Sequence, residues 1–213
     1  ILPNKASKRK SKTASFTGDP CKESRNKMAI QKAKAGLRAE MASIRLRPNE
    51  RALDSAAICA HVKQLPEWGC ARVVLLFAAL PDEPDVGELW DESKQICLPR
   101  YRADRTYEAA CVKNSADLVR GQFGILEPAE SAVCARPSEV DLVVTPGMAF
   151  DSTGFRLGRG RGFYDRWLAG LTAFRCGVGF DHQLVPDVPH ESHDIRMGVV
   201  VTPSGAFRSD DVG

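Results

Sequence analysis

The feature that most limits the folds open to this chain is a nearly continuous apolar run at residues 72–80, RVVLLFAAL. Such a run indicates a strand covered on both faces, as parallel sheets require. Helical stripes precede it at residues 28–44 and 51–65. The remaining patterns indicate short helices at 85–94 and 165–171 and strands at 95–98, 107–112, 141–145, 175–180 and 198–202. This alternation predicts an α/β protein, a single domain with a largely parallel sheet covered by helices on both faces.

Charge divides the chain into a basic tail and a mildly acidic body. Residues 1–27 hold eight Lys or Arg against two acidic residues, while the whole chain has a formal net charge of +3. Large hydrophobic residues are scarce in this tail, so burial cannot offset the entropy of ordering it, and we predict disorder over 1–27. The predicted domain spans 28–208, with a C-terminal tail at 209–213. Because Met28 directly precedes the first helical pattern, one alternative is that the tail is not native to the mature protein. A second is a transit peptide, since the tail is basic, contains serines and is poor in acids.

Composition excludes several classes of protein. No apolar run approaches the roughly 20 residues of a membrane span, so no membrane partner is expected. The seven cysteines are odd in number and contain no Cys-x-x-Cys pair, which argues against a zinc knuckle and a disulfide scaffold. We expect reduced thiols and a cytoplasmic location, or a mitochondrial one if the tail is a transit peptide. His190 and His193 lie three apart on a Pro-led loop, which is not the helical spacing of a zinc site.

A loop rich in glycine and arginine at residues 154–165, GFRLGRGRGFYD, is the strongest chemical signal. Glycines let the backbone approach an anion, and arginines offer forked donors matched to phosphate or carboxylate oxygens. The glycines follow neither the order of a P-loop nor that of a dinucleotide-binding turn. Alternating Arg and Gly also occur in segments that bind RNA, although those are usually repeated.

Together with the upstream segment 143–151, VVTPGMAFD, this loop resembles the signature of the 5-formyltetrahydrofolate cyclo-ligase family. That signature has a Pro-Gly, an aromatic-Asp, and then Arg-Leu-Gly-x-Gly-x-Gly-aromatic-Tyr-Asp. The resemblance covers roughly residues 30–208. It implies a monomeric ligase that uses ATP and Mg²⁺ to cyclise 5-formyltetrahydrofolate, with or without a polyglutamate tail, to 5,10-methenyltetrahydrofolate. ADP and phosphate are released, and the path runs through a phosphorylated formyl (iminophosphate) intermediate.

The resemblance also implies roles for individual residues. Leu-Pro-Arg-Tyr matches the family's Pro-Arg-aromatic turn, Lys-x-x-Leu-Arg matches its basic pair, and members have an acidic residue at the position of Pro-Asp-Glu-Pro. The implied ATP-binding residues are Lys34, Arg38, Arg156, Leu157, Gly158, Arg159, Gly160, Arg161, Gly162, Phe163 and Tyr164. The implied folate-binding residues are Glu83, Arg100, Tyr101, Phe123, Arg159 and Phe163. Arg159, Arg161 and Glu83 are the expected catalytic residues, and Asp165 and Asp194 the expected magnesium ligands. Lys32 competes with Lys34 for the lysine role.

One departure from the family pattern and two rival functions remain open. Phe163 stands where many members have Tyr, which removes one phenol hydroxyl. The first rival is a catalytically impaired paralogue that binds folate or nucleotide. The second is a nucleic-acid-binding protein that uses the basic tail and the Arg-Gly loop, although the mildly acidic body gives no reason to expect a nucleic acid partner.

Overall fold

The structure is a computed structural model that describes residues 20–104, 106–114, 117–121, 124–160 and 162–209, with helix backbone alone at 20–23, 163, 165 and 166. Within these ranges the helices are α1 (Pro20–Ser43), α2 (Pro48–Lys63), α3 (Pro66–Cys70) and α4 (Phe163–Leu168). The strands are β1 (Val73–Leu75), β2 (Gln95–Tyr101), β3 (Tyr107–Val112), β4 (Leu118–Arg120), β5 (Leu126–Pro128), β6 (Cys134–Ala135), β7 (Leu142–Pro146), β8 (Ala149–Phe150), β9 (Arg156–Leu157), β10 (Phe174–Val178), β11 (Val199–Thr202) and β12 (Gly205–Arg208).

Eight of these strands form the main sheet, in the order β12-β11-β10-β7-β1-β2-β3-β6. Strands β11, β10, β7, β1 and β2 run parallel, whereas β12, β3 and β6 pair antiparallel at the two edges. The prediction of a largely parallel sheet is confirmed. From β1 the chain continues to β2 on one side and later to β7 on the other, so strand order reverses beside β1. A crevice opens at the carboxyl ends of the strands at such a reversal.

Two apolar cores cover the two faces of the sheet, as predicted. On one face Val74 and Val144 pack with Ile58 and Val62 of α2. On the other, Leu75 and Val143 pack with Leu168 of α4. Neighbouring residues of β1 thus enter different cores, because side chains alternate along a strand. The apolar run that begins after Arg72 is therefore buried on both faces of the sheet.

One buried ring fits into a slot made by three glycines. Phe150 is 1% exposed. A methyl group on Gly147, Gly177 or Gly179 would lie 2.6, 2.5 or 3.1 Å from its ring atoms. The β8–β9 hairpin therefore sits directly against β10, and Gly147 must lack a side chain for the ring to pack there.

Three predicted elements differ from the structure. The strand predicted at 72–80 leaves the ladder after Leu75, although Leu76 and Phe77 remain buried. The helix predicted at 85–94 is wrong, since only a 3-10 turn at Gly87–Leu89 forms there. The carboxylate of Asp85 accepts the amide of Gly87 at 2.9 Å, and such local bonds compete with a helix.

The first helix begins at Pro20, eight residues before the predicted start at Met28. Pro is tolerated in the first turn of a helix, where its missing N–H would have no intrahelical partner. Residues 24–27, placed in the disordered tail by the sequence argument, are thus exposed helix, and residues 1–19 lie outside the described ranges. In the described part of the chain, no helix combines the length and apolar content needed to cross a membrane.

Candidate active site

A cavity of about 800 Å³ lies at the crevice beside β1. The segment after β1 lines it through Phe77, Leu80 and Glu83, and the carboxyl ends of β2 and β7 line it through Pro99 and Pro146. Nine of the predicted ATP-binding residues also line it: Lys34, Arg38, Arg156, Leu157, Gly158, Arg159, Gly160, Gly162 and Tyr164. The sheet topology thus brings distant parts of the sequence to one place.

Helix α1 contributes two cations to the cavity. Lys34 and Arg38 lie one helical turn apart and therefore share a face. Lys34 is 7% exposed, and its Nζ donates to Asp194 Oδ2 at 2.5 Å. Arg38 Nε donates to the carbonyl of Gly158 at 2.9 Å. Because each cation is bonded to a different loop, α1 holds the Gly-Arg loop and the loop before β11 against the same cavity.

The Gly-Arg loop follows β9, which pairs antiparallel with β8. Gly160 has a φ of +90°, in the left-handed region that favours glycine. Arg156 Nη1 donates to the carbonyl of Pro146 at 3.1 Å, and its guanidinium lies 5.4 Å from the centre of the Tyr164 ring. Burial raises the pKa of the Tyr164 hydroxyl, so this group is neutral. The predicted ligand Arg161 and the side chain of Phe163 lie outside the described residues.

Arg159 reaches across the cavity to two acids. Its Nε and Nη2 both lie 3.1 Å from Glu83 Oε1, and its Nη2 lies 2.7 Å from Asp82 Oδ1. Glu83 is 8% exposed, and burial raises its pKa although Arg159 and the amide of Leu80 oppose this effect. Burial is also the largest single effect on Asp82, but the hydrogen bond and the positive charge of Arg159 act together against it, and the pKa of Asp82 is lowered. The site thus holds a buried carboxylate beside a forked cation.

The turn that presents Glu83 is held from α2. Arg51 Nε donates to the carbonyl of Glu83 at 2.9 Å, and Arg51 Nη2 donates to the carbonyl of Leu80 at 3.2 Å. The amide of Leu80 in turn donates to Glu83 Oε2 at 3.0 Å. This turn has only one short backbone bond of its own, from Glu83 to Leu80, so Arg51 contributes much of its order.

Asp194 is the predicted magnesium ligand that the structure describes. It lines the cavity and accepts from Lys34 and from the amide of Glu191 at 2.8 Å. Burial acts to raise its pKa, but these bonds outweigh it and the pKa is lowered, so Asp194 is ionised. Among the described residues, no group of three or more His, Cys, Asp or Glu side chains is arranged to hold a metal. The side chain of its predicted partner Asp165 lies outside the described residues.

Two residues expected to face the folate lie elsewhere. Arg100 Nε donates to Glu108 Oε1 at 2.7 Å, and its guanidinium also reaches Cys134. Arg100 is adjacent to Pro99 in β2, so its side chain projects from the opposite face of the sheet. Tyr101 packs on Tyr107, with ring centres 5.2 Å apart. Neither Arg100 nor Tyr101 is among the residues that line the cavity. The predicted folate contact Phe123 lies outside the described residues.

Sequence reasoning missed an aromatic wall. Tyr107 and Trp167 line the cavity with ring centres 5.8 Å apart, and Trp167 also contacts Tyr164 at 6.4 Å. Trp167 follows Tyr164 by three helical positions, a spacing that could have indicated a shared face. No sequence signal brings Tyr107 to the site, because its position depends on the antiparallel pairing of β3 with β2.

Comparisons with known proteins identify one family. Residues 30–203 match the model of the 5-formyltetrahydrofolate cyclo-ligase family. The 5-formyltetrahydrofolate cyclo-ligase of Mus musculus is 26% identical over 82% of this chain and 95% of its own. The protein of that name from Escherichia coli K12 is 34% identical over 59% of this chain and 72% of its own.

A solved structure shares the fold over nearly its whole length. The NMR structure of Aquifex aeolicus 5,10-methenyltetrahydrofolate synthetase superposes with a TM-score of 0.75 and 29% identity, over 86% of this chain and 94% of that one. The family match spans the cavity-lining segments from α1 to the loop before β11. With its signature loop, α1 cations and buried Glu83 in one cavity, this chain belongs to the 5-formyltetrahydrofolate cyclo-ligase family.

Proposed function

We propose that this protein catalyses the ATP- and Mg²⁺-dependent cyclisation of 5-formyltetrahydrofolate to 5,10-methenyltetrahydrofolate, with release of ADP and phosphate. The observation that carries the proposal is that cations from α1 and the Gly-Arg loop share one cavity with a buried carboxylate, Glu83. Membership of the family supports the same activity. We further propose that the protein acts as a monomer and accepts the substrate with or without a polyglutamate tail.

The ATP phosphates would occupy the end of the cavity where α1 meets the Gly-Arg loop. Lys34, Arg38, Arg156 and Arg159 supply positive charge there, and Gly158 and Gly160 leave room for phosphate oxygens near the backbone. Leu157, Gly162 and Tyr164 line the same part, and Arg161 and Phe163 join this set by resemblance to the family. Arg38 is already bonded to the loop, so nucleotide binding needs little rearrangement of α1.

The reduced pterin ring would lie against Glu83. Its ring N–H groups are donors, and Glu83 is a buried acceptor within the cavity. Tyr107, Trp167 and Tyr164 offer aromatic faces on which the pterin and benzoyl rings could stack. Glu83 thereby orients the substrate, while the aromatic wall excludes water from it.

The reaction divides into two steps. The formyl oxygen attacks the γ-phosphorus of ATP and ADP leaves, which gives the iminophosphate. Folate N10 then attacks the activated formyl carbon, phosphate departs, and the N10 proton passes to solvent. Both steps develop charge on phosphoryl oxygens, and Arg159, Lys34 and Arg38 can stabilise that charge and align the reactants. No nucleophile from the protein is needed.

Magnesium, when bound, neutralises phosphate charge. Mg²⁺ needs only one or two protein carboxylates when phosphates and waters complete its shell. Asp194 is ionised, lines the cavity beside the cation Lys34 and therefore fits this role. Asp165 is its partner by resemblance to the family.

The test is an assay with 5-formyltetrahydrofolate, Mg²⁺ and ATP that follows the near-ultraviolet absorbance of methenyltetrahydrofolate. Product should form only with ATP, in step with ADP release. Arg159→Ala should lower kcat by about 10²- to 10³-fold, since it removes a forked donor to developing charge. Arg136→Ala is the matched control, because Arg136 is exposed and pairs with Glu139 away from the cavity.

Two outcomes would replace the proposal. A folded protein that binds folate or nucleotide but forms no product would be a catalytically impaired paralogue. Salt-sensitive RNA binding that disappears with residues 1–27, together with no turnover, would indicate the nucleic-acid-binding alternative.

A further inference from the structure

Two thiols outside the cavity lie side by side on neighbouring strands of the sheet. Cys97 of β2 and Cys111 of β3 are register partners in an antiparallel pair, and their Sγ atoms lie 2.6 Å apart. Both carry free thiols. The site of the proposed reaction uses neither residue.

The backbone bonds show which kind of register pair this is. The carbonyl of Cys97 accepts from Leu76 of the segment after β1, and the amide of Cys111 donates to Val133 near β6. Each residue therefore directs its backbone polar groups away from the other, which defines a non-hydrogen-bonded pair. In such pairs the Cα atoms lie about 4.5 Å apart and the side chains approach closely. This spacing falls within the range that a disulfide can bridge.

We propose that Cys97 and Cys111 form an oxidative modification site at which hydroperoxides generate an intrachain disulfide between β2 and β3. This inference does not depend on the proposed function. The bond would join the two strands that carry Pro99 and Tyr107 into the wall of the cavity. Because the thiols are already opposite each other, it requires no exchange of strand partners.

Unequal exposure sets the order of the two steps. Cys97 is fully buried, whereas Cys111 is half-buried and accepts a hydrogen bond from Gln95 Nε2 at 2.9 Å. Burial also raises the pKa of the Cys97 thiol, which disfavours its thiolate. Cys111 therefore attacks the peroxide: its sulfur takes one oxygen, the O–O bond breaks, and the released hydroxide takes a proton to form water.

The second step consumes the sulfenic acid formed on Cys111. Cys97 sulfur attacks the sulfenic sulfur, the S–O bond breaks, and the departing hydroxide takes the Cys97 proton. Two thiols and one hydroperoxide thus give one disulfide, one water and, from hydrogen peroxide, a second water.

Two other thiols serve as controls. Cys134 of β6 is the register partner of Ala110, the residue before Cys111 in β3. Its side chain therefore projects from the other face of the sheet, where its Sγ lies 3.0 Å from Arg100 Nη2. Cys70 is exposed at the end of α3. Neither is placed to join Cys97.

The experiment treats the reduced, full-length protein with hydrogen peroxide, alkylates it in denaturant and digests it with trypsin. Mass spectrometry should find peptides 95–100 and 106–113 linked with the loss of two hydrogens, and a reductant should separate them. Cys111→Ser should abolish the link, while Cys70→Ser and Cys134→Ser should leave its yield unchanged. The proposal would be overturned if peptide 95–100 is recovered with its cysteine alkylated while peptide 106–113 is alkylated, over-oxidised or linked to another cysteine.

Discussion

Lys34 Nζ lies 2.5 Å from Asp194 Oδ2, and this ion pair joins α1 to the loop before β11. Both side chains are largely buried, with 9% and 12% of their surfaces exposed. The proposed phosphate ligand and the proposed magnesium ligand therefore hold each other in place. Bound Mg²⁺ and nucleotide together would supply a new partner for each of these charges.

Lys34→Met should raise the KM for ATP by about tenfold or more, since a charge-assisted hydrogen bond contributes about 1.5–3 kcal/mol. The KM for folate should change little. The matched control is Lys32→Met, which removes an exposed lysine two residues away on α1. Steady-state kinetics with each substrate varied in turn provides the measurement. Equal effects of the two substitutions would exclude Lys34 from the ATP site.

Glu83 should impose an acidic limb on the pH dependence of kcat/KM for folate. Both carboxylate oxygens of Glu83 act as acceptors only when the group is ionised. Burial raises its pKa above the ordinary 4.5, so activity should begin to fall at a pH above that value when the pH is lowered. Glu83→Gln should remove this limb and lower kcat/KM at neutral pH by about 10- to 100-fold. Glu88→Gln, at an exposed position, is the control.

Stability separates this effect from misfolding. Because the folded pKa of Glu83 exceeds its unfolded pKa, the folded state binds more protons between the two values, and stability falls as the pH rises through that window. The Gln variant lacks this loss, so its free energy of unfolding at neutral pH should equal or exceed that of the parent. A lower free energy of unfolding in Glu83→Gln would show that Glu83 stabilises the fold, and the loss of activity would then be a result of misfolding.

Arg51 should act as a positioning residue for Glu83. Arg51→Met removes both donors that hold the carbonyls of Leu80 and Glu83, so the carboxylate loses its orientation. We expect kcat/KM for folate to fall by about tenfold, with partial rescue in Arg51→Lys and little change in the KM for ATP. Lys63→Met, exposed on the same helix, is the control. A uniform loss for both substrates would contradict a positioning role.

Gly160→Ala and Gly36→Ala should change stability in opposite directions. Gly160 has a φ of +90°, and an added methyl would also lie 3.3 Å from the guanidinium of Arg38. The alanine should cost about 1–2 kcal/mol of unfolding free energy. Gly36 lies inside α1 with open space around it, so alanine there should add about 0.5–1 kcal/mol. Urea unfolding measures both changes, and a neutral Gly160→Ala would contradict the strain at that position.

The sequence predicted those parts of the site that depend on local patterns. Lys34 and Arg38 share a face by helical spacing, and Glu83 and the Gly-Arg loop each follow a buried run or strand. The carboxyl ends of parallel strands lie at one edge of a sheet, so the sequence alone predicts that the segments after these strands lie close together. The position of the crevice beside β1 depends on the strand order, which only the structure reveals.

Features that depend on the direction and register of strand pairing escaped the sequence argument. Strands β3 and β12 turn back antiparallel on the strands just before them, β2 and β11, and β6 pairs with β3 from farther along the chain. Arg100 pairs with Glu108, opposite it in β3, and sequence alone does not reveal the register that sets this environment. The helix predicted at 85–94 failed because the side chain of Asp85 competes for backbone amides.

The slot that receives Phe150 couples the substitutions that four positions can accept in evolution. A side chain gained at Gly147, Gly177 or Gly179 would displace the ring, whereas a smaller residue at 150 would leave a void that those glycines could not fill. Substitutions at these positions should therefore appear together among descendants of this chain. A lineage that acquires alanine at one glycine should also have exchanged its phenylalanine.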